Sequence, residues 1–246
     1  MTVRREQELA ALRRVGRAVR ATIDRMAAVL RPGVTTAELD KVGADVLAEF
    51  GARSAPNVFY DFPGIATISV NEEAVHGIPG ARVIRPGDVV KIDVTAELDG
   101  YLADACTTVC VPPVSKRAAA LVHAAQSALD AAIGAVKVGA PVNYIGRAVE
   151  EDVSRHGVRI LRSLSGHGTG RRIHEEPTVH NYFVPGNKAV LREGLVLAIE
   201  PILAESTADV VTGSDGWTIS TADGSLSAQF EHTVVVTRRG PILLTA

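Results

Sequence analysis

Residues 91–106, KIDVTAELDGYLADAC, constrain the fold more than any other stretch of the chain. Two strand-like runs flank Leu98-Asp99-Gly100-Tyr101, and an Asp-Gly pair between such runs is the signature of a two-residue β-hairpin turn. Once the turn is placed, the register follows. Leu98 faces Tyr101, Ala96 faces Ala103, Thr95 faces Asp104 and Asp93 faces Cys106. Side chains alternate between faces, so Asp93, Thr95 and Asp104 share one. Asp93 interrupts the apolar run VVKIDV, and Asp104 stands just before ACTTVCV. As diagonal cross-strand neighbours the two acids have Cβ atoms roughly 7 Å apart or closer. Carboxylates in a core-type strand are costly unless something pairs with them. Two this close repel, so one protonates or a cation lies between them.

Three further residues carry the same chemistry. Glu200 ends the apolar run GLVLAIEP, and Glu231 opens FEHTVVV, both strand-like contexts that disfavour acids. His167 sits in SGHGTG, where flanking glycines let backbone and ligand approach closely. One divalent ion leaves half of the charge on these four carboxylates uncompensated, whereas two ions neutralise it. That pattern points to a dinuclear hydrolytic centre, with ions roughly 3.5–4 Å apart that activate water and polarise a carbonyl. Carboxylate and imidazole donors suit Mn, Fe, Co or Zn. Other motifs fail. In His174-Glu175-Glu176-Pro177-Thr178 a threonine occupies the second histidine place of H-E-x-x-H, and 166–170 is not G-x-G-x-x-G.

Around this centre the pattern runs twice. Leu9, Leu12, Val15, Val19, Ile23, Met26 and Leu30 recur at three- and four-residue steps, which predicts a helix over 5–30 stopped by Pro32-Gly33. Thr35 and Glu38 form a capping box for a second helix to Glu49, and 57–111 read as strands and turns. A helix over 116–136 then ends at Lys137-Val138-Gly139, Asn143 caps another through Arg155, and the strands RILRSLS, LVLAIEPIL, GWTIS and FEHTVVV follow. Arg85 to Asp93 and Arg192 to Glu200 share R-x-G-x-V-x-x-I-acid at an offset of 107 residues, nearly the offset of 106 between Gly33 and Gly139. The expectation is an α+β chain, one domain over 1–246, with pseudo-repeat halves of roughly 1–112 and 113–246.

A net charge of −2 offers no basic field for nucleic acid. Cys106 and Cys110 on one strand stand roughly 13 Å apart and cannot bridge. They suit a reducing cytoplasm. MTVRREQELAALRR lacks the apolar core of a signal peptide, and no apolar run reaches membrane-spanning length.

The stretches ISVNEEAVHGIPG (68–80), GDVVKIDVTAELDGYLADAC (87–106), SGHGTGRRIHEEPTV (165–179), GLVLAIEP (194–201) and DGWTISTADGSLSAQFEHTVVVT (215–237) together resemble the type I methionine aminopeptidases, over nearly the whole chain. The resemblance implies the pita-bread fold: two pseudo-symmetric halves, a central antiparallel sheet and helices outside. It implies Asp93, Asp104, His167, Glu200 and Glu231 as ligands of two divalent ions (Co, Mn, Fe or Zn), with Glu200 also moving a proton. It places His76 and His174 at the scissile amide, and Phe59, Phe62, Thr67 and Trp217 in the methionine pocket. Thr67 stands where many bacterial members carry cysteine. The implied activity is removal of the initiator methionine from nascent chains with small second residues, by a monomer working near the ribosome. Two rivals remain. A Xaa-Pro peptidase of the same fold usually carries a large N-terminal domain, whereas only 92 residues precede Asp93 here. A non-catalytic binding member typically lacks several ligands.

Overall fold

The computed structural model describes residues 1–246. The first part of the chain forms α1 (Glu6–Val29), α2 (Thr36–Glu49), β1 (Arg53–Ser54), α3 (Ala55–Tyr60), β2 (Thr67–Val70), β3 (Glu73–Val75), β4 (Val89–Leu98) and β5 (Tyr101–Cys110). Then come α4 (Lys116–Gly134), α5 (Asn143–Val153), β6 (Arg159–Ile160), β7 (Gly166–Gly168), β8 (Glu175–Val179), β9 (Val196–Ile199) and β10 (Ile202–Ala204). The chain closes with β11 (Val210–Thr212), β12 (Ile219–Thr221), β13 (Ser227–Gln229), β14 (His232–Val235) and β15 (Ile242–Leu243).

The hairpin forms in the expected register, Leu98 to Tyr101, Thr95 to Asp104 and Asp93 to Cys106. Asp99 and Gly100 have φ of 53° and 77°, the left-handed pair that a tight hairpin turn of the right twist requires. β4 is central to its sheet. β5 runs along one edge, while β1 and β2 share the other, with Arg53 opposite Glu97 and Thr67 opposite Asp93. On the apolar side of this sheet α1 buries Val15, Val19, Ile23 and Met26 completely, as its spacing predicts. The capping box of α2 closes as expected. Glu38 N donates to Thr35 Oγ1 at 3.2 Å, and Thr35 N donates to Glu38 Oε2 at 2.7 Å.

The later part of the chain builds a five-stranded sheet, β15-β14-β9-β7-β8, and two three-stranded sheets, β13-β10-β6 and β11-β12-β3. One core cluster runs from Val15 to Val111 and a second from Leu121 to Val236. The sequence echo has a structural counterpart. Gly33 N donates to Ile84 O and Gly139 N to Leu191 O, each glycine at positive φ, and the bridges Thr35–Val83 and Pro141–Val190 follow in turn.

A polar seam joins the two sets of strands. Along Ser227–Thr233, alternate residues bind the hairpin: Ser227 to Lys91, Gln229 to Thr108, Glu231 N to Cys106 O, and Thr233 Oγ1 to the backbone of Asp104. Burial pushes the Lys91 ammonium down to about 7. No helix is long and apolar enough to cross a membrane.

Several elements differ from the sequence expectation. Residues 57–60, read as strand or turn, lie in the short helix Ala55–Tyr60, started by Ser54 Oγ accepting from Asn57 N and by Pro56 in its first turn. Asn143 caps nothing. The N-cap position is Val142, and the Asn143 side chain is held by the backbone of Val184, at 2.7 Å and 2.8 Å. LVLAIEPIL breaks into β9 and β10 at Glu200-Pro201, because proline has no N–H to continue the ladder. In FEHTVVV the ladder begins only at His232, where the chain leaves the β10 sheet for the β9 sheet.

Candidate metal centre and substrate cavity

Four separate stretches bring the five expected ligands into one cavity. The hairpin supplies Asp93 and Asp104. The β9–β10 break supplies Glu200, where the chain stops pairing with β14 and its carboxylate is free to turn inward. The β13–β14 step supplies Glu231, whose N–H donates to Cys106 O at 3.0 Å. β7 supplies His167, opposite Ala198 of β9. Its glycine neighbours serve strand packing rather than approach of a ligand. A Cβ at position 166 would stand 2.4 Å from Ala198 O, and one at position 168 would stand 2.3 Å from Glu176 O.

His167 Nδ1 lies 2.9 Å from Gly168 O. A carbonyl only accepts, so Nδ1 carries a hydrogen and Nε2 faces the acids, 3.3 Å from Glu200 Oε1. Donor atoms of Asp104, His167 and Glu231 lie within 4.8 Å of one another. Asp104 Oδ1 and Glu231 Oε1 are buried with no hydrogen-bond partner. Buried carboxylate oxygens without a donor are expensive, and a cation is what they lack. The oxygen and imidazole donor set fits a divalent ion.

The electrostatics agree. Burial raises Asp93 well above the carboxylate range, and repulsion from Asp104 and Glu200 adds to it. Burial likewise raises Glu231 well above that range, reinforced by Asp104, Glu200 and Asp93. Asp104 and Glu200 are raised by burial, with His167 opposing in both. His167 itself is disfavoured as a cation by burial, but the hydrogen bond and charge of Glu200 and the charge of Asp104 outweigh this and raise it to about 9. The cluster draws positive charge to itself.

The cavity above these residues has a volume of about 390 Å³. His76, His174, Phe62, Thr67 and Trp217 all line it. Phe62 is 1% exposed and meets Trp217 edge-on, with ring centroids 5.2 Å apart. Thr67 is buried opposite Asp93, and its hydroxyl has no partner. Phe59 is the exception. It is 51% exposed and lies outside the lining, because α3 presents Tyr60 to the cavity instead. Tyr60 Oη lies 3.0 Å from His174 Nδ1, and the two rings stack. Burial, then repulsion from His167 and His76, pushes His174 down to about 4, so its ring is neutral near pH 7. His76 is lowered by burial and adopts φ of 59°, a left-handed conformation that costs a histidine roughly 1–3 kcal/mol. Gly77 holds it there. A Cβ at 77 would meet Ile68 O at 2.4 Å, while Gly77 N donates to Ser69 Oγ and Gly77 O accepts from Ile68 N.

Two site residues escape the sequence reading, Tyr60 and Gln229. No periodic signal marks Tyr60. Gln229 was findable: it precedes Glu231 by two residues, so alternation puts both side chains on one face. Its Nε2 lies 3.5 Å from Glu200 Oε2 and 3.4 Å from Glu231 Oε2.

A buried acid-and-imidazole cluster flooring a half-enclosed cavity, on an α+β frame of antiparallel sheets, defines a metal-dependent hydrolase. The chain belongs to metallopeptidase family M24, whose model matches residues 10–238. It is 39% identical over 247 residues to methionine aminopeptidase 2 of Bacillus subtilis (strain 168), covering 100% of this chain and 99% of that protein. The crystal structure of a methionine aminopeptidase from Thermotoga maritima superposes with a TM-score of 0.96 at 34% identity, covering 100% of this chain and 99% of that one. A prolidase from Pyrococcus furiosus shares the fold alone, at a TM-score of 0.79 and 20% identity over 65% of its own length. The fold is the pita-bread fold.

Proposed function

We propose that the protein removes the N-terminal methionine from peptides and nascent chains whose second residue is small. The observation that carries this reading is the cavity: the acid cluster lies on its floor, and an apolar slot walled by Phe62 and Trp217 opens beside it. The slot suits a thioether, which packs well against ring edges. The names of the full-length relatives support the same activity. Asp93, Asp104, His167, Glu200 and Glu231 are the residues to hold two divalent ions. When bound, such ions supply Lewis acidity toward the amide carbonyl and lower the pKa of water.

The chain's own residues do the rest. The acid cluster receives the substrate's free ammonium, and Phe62 and Trp217 orient the methionine side chain. The half-enclosed walls exclude bulk water from the amide. Glu200, at the end of β9, carries a proton from the attacking water to the leaving nitrogen. A neutral His174 has one ring hydrogen. With the Tyr60 phenol donating to Nδ1, that hydrogen stays on Nε2, free to donate to the oxyanion. His76, fixed by its backbone, approaches the same amide. An open polar trough of about 670 Å³ shares Ser165, His167 and His174 with the cavity and leads the remaining peptide outward.

We place this activity in the cytoplasm, in a monomer close to the ribosome, as a single domain over 1–246. Free cysteines and the absence of a membrane-spanning helix are compatible with that. The test is hydrolysis of Met-Ala-Ser, Met-Leu-Ser and Xaa-Pro peptides by metal-stripped protein titrated separately with Mn, Fe, Co and Zn. The expected result is turnover of Met-Ala-Ser well above Met-Leu-Ser. Equal turnover of both, or cleavage of Xaa-Pro peptides only, overturns the reading.

A further inference from the structure

Lys91 lies on β4 two residues before Asp93 and on the same face. It is 1% exposed, among the largest fully buried side chains of the protein. Its ammonium forms no ion pair. Nζ donates instead to Asn71 O at 2.8 Å, Ser227 O at 3.1 Å and Ser227 Oγ at 3.0 Å, one acceptor for each of its three hydrogens. A buried, unpaired charge is costly, and a neutral side chain of similar length would fill the same space.

The three acceptors belong to two segments 156 residues apart along the chain. Asn71 forms the left-handed turn between β2 and β3, the strand that ends at Val75 just before His76. Ser227 opens β13, which leads through Gln229 to Glu231. Ser227 N also donates to Asn71 O at 3.0 Å, so the turn and the strand already touch where the ammonium grips them. The ammonium therefore ties together three pieces of backbone that carry, within a few residues, Asp93, His76 and Glu231.

We propose that Lys91 is a positioning residue whose Nζ clamps the Asn71 turn and the start of β13 onto β4 and so sets the spacing of Asp93 and Glu231. It rests on the reading that those two acids bind divalent metal. Groups bonded directly to metal ligands typically change metal affinity by about 10–100-fold when removed, and Lys91 acts on Asp93 and Glu231 through the backbone it ties, so an effect of about tenfold is expected.

The experiment compares wild type, Lys91→Ala, Lys91→Met and Ser227→Ala. Each metal-stripped protein is titrated calorimetrically with Mn²⁺, and its thermal melting and Met-Ala-Ser kinetics are recorded. Lys91→Ala and Lys91→Met lose about tenfold in Mn²⁺ affinity, and Ser227→Ala loses roughly threefold. Methylammonium restores affinity in Lys91→Ala, by placing an ammonium in the vacated space. It does not do so in Lys91→Met, where the side chain fills that space, and tetramethylammonium at equal ionic strength restores neither. Unchanged Mn²⁺ affinity in Lys91→Ala and Ser227→Ala overturns the proposal. So does a loss in Lys91→Ala that methylammonium repairs no better than tetramethylammonium. If Lys91→Ala does not fold, Ser227→Ala decides, and wild-type affinity there overturns the clamp. Wild-type protein that binds Mn²⁺ but leaves Met-Ala-Ser intact defeats the peptidase reading and leaves the clamp standing. Wild-type protein that binds no divalent ion defeats the metal centre itself, and the clamp with it.

Discussion

Metal binding to the stripped protein must expel the proton on His167. Without an ion, Glu200 and Asp104 overcome burial and raise this imidazole to about 9, so near pH 7 the ring is charged. Nδ1 keeps its hydrogen because it faces Gly168 O at 2.9 Å. Nε2, 3.3 Å from Glu200 Oε1, is the nitrogen that must lose its hydrogen to become a ligand. Burial and mutual repulsion raise Asp93 and Glu231 well above the carboxylate range. At least one proton therefore leaves per loaded site. Since binding releases protons, affinity rises with pH, by about tenfold, or about 1.4 kcal/mol, per proton per pH unit. From about pH 6.5 to about pH 8, Mn²⁺ affinity increases at least about 30-fold, and the slope flattens only as pH passes the His167 pKa. The assay is calorimetric titration of the stripped protein in two buffers of unlike protonation enthalpy, repeated across that range. His167→Ala binds more weakly, and its slope of log affinity against pH falls by about one. Buffer-independent heats together with a flat affinity across the range refute the argument.

Other perturbations have equally definite outcomes. Tyr60→Phe removes the hydroxyl 3.0 Å from His174 Nδ1, and kcat for Met-Ala-Ser falls roughly three- to tenfold with KM little changed; an unchanged kcat in steady-state assays removes Tyr60 from the mechanism. Gly168→Ala drives a methyl group to 2.3 Å from Glu176 O, so β7 and β8 must part. The cost is about 2 kcal/mol or more, a drop of roughly 5 °C in melting temperature, and a wild-type melting curve contradicts the packing. Trp217→Ala removes the edge-on partner of Phe62 and lowers kcat/KM for methionyl peptides roughly two- to tenfold, shrinking their advantage over leucyl ones. Chelation abolishes turnover and lowers the melting temperature, and readdition of divalent ion reverses both. Persisting activity in fully stripped protein, checked by elemental analysis, excludes a metal centre.

The residues of the hairpin were the most legible part of the molecule. Asp99-Gly100 dictates a turn, the turn dictates the register, and the register puts Asp93 and Asp104 side by side, all within local backbone geometry. Glu200, Glu231 and His167 stood out as residue types in the wrong surroundings, but nothing in their own stretches says that they meet each other. Their convergence was legible through resemblance to a family, not through spacing. Tyr60 and Phe59 mark the limit most clearly. Both are aromatic and adjacent, and only the rotation of a helix six residues long decides which one faces the cavity. Asn143 looked like a cap because asparagine commonly is one, yet a loop 41 residues onward claims its side chain.

By itself, then, the sequence determined what depends on neighbours along the chain. It set the two amphipathic beginnings, the capping box, the tight turn, the oddly placed acids and the repeated R-x-G-x-V-x-x-I-acid strands. Only the tertiary structure decided why Gly166 and Gly168 are glycines, where Lys91 spends its charge and which atoms of Asp104 and Glu231 lack partners. The physical reason is range. Turn and cap hydrogen bonds close over a few residues and are written in residue type. Burial, electrostatic crowding and steric contact arise between segments that meet only in the fold, some of them more than a hundred residues apart, such as Lys91 and Ser227, and exist only once packing has brought them together.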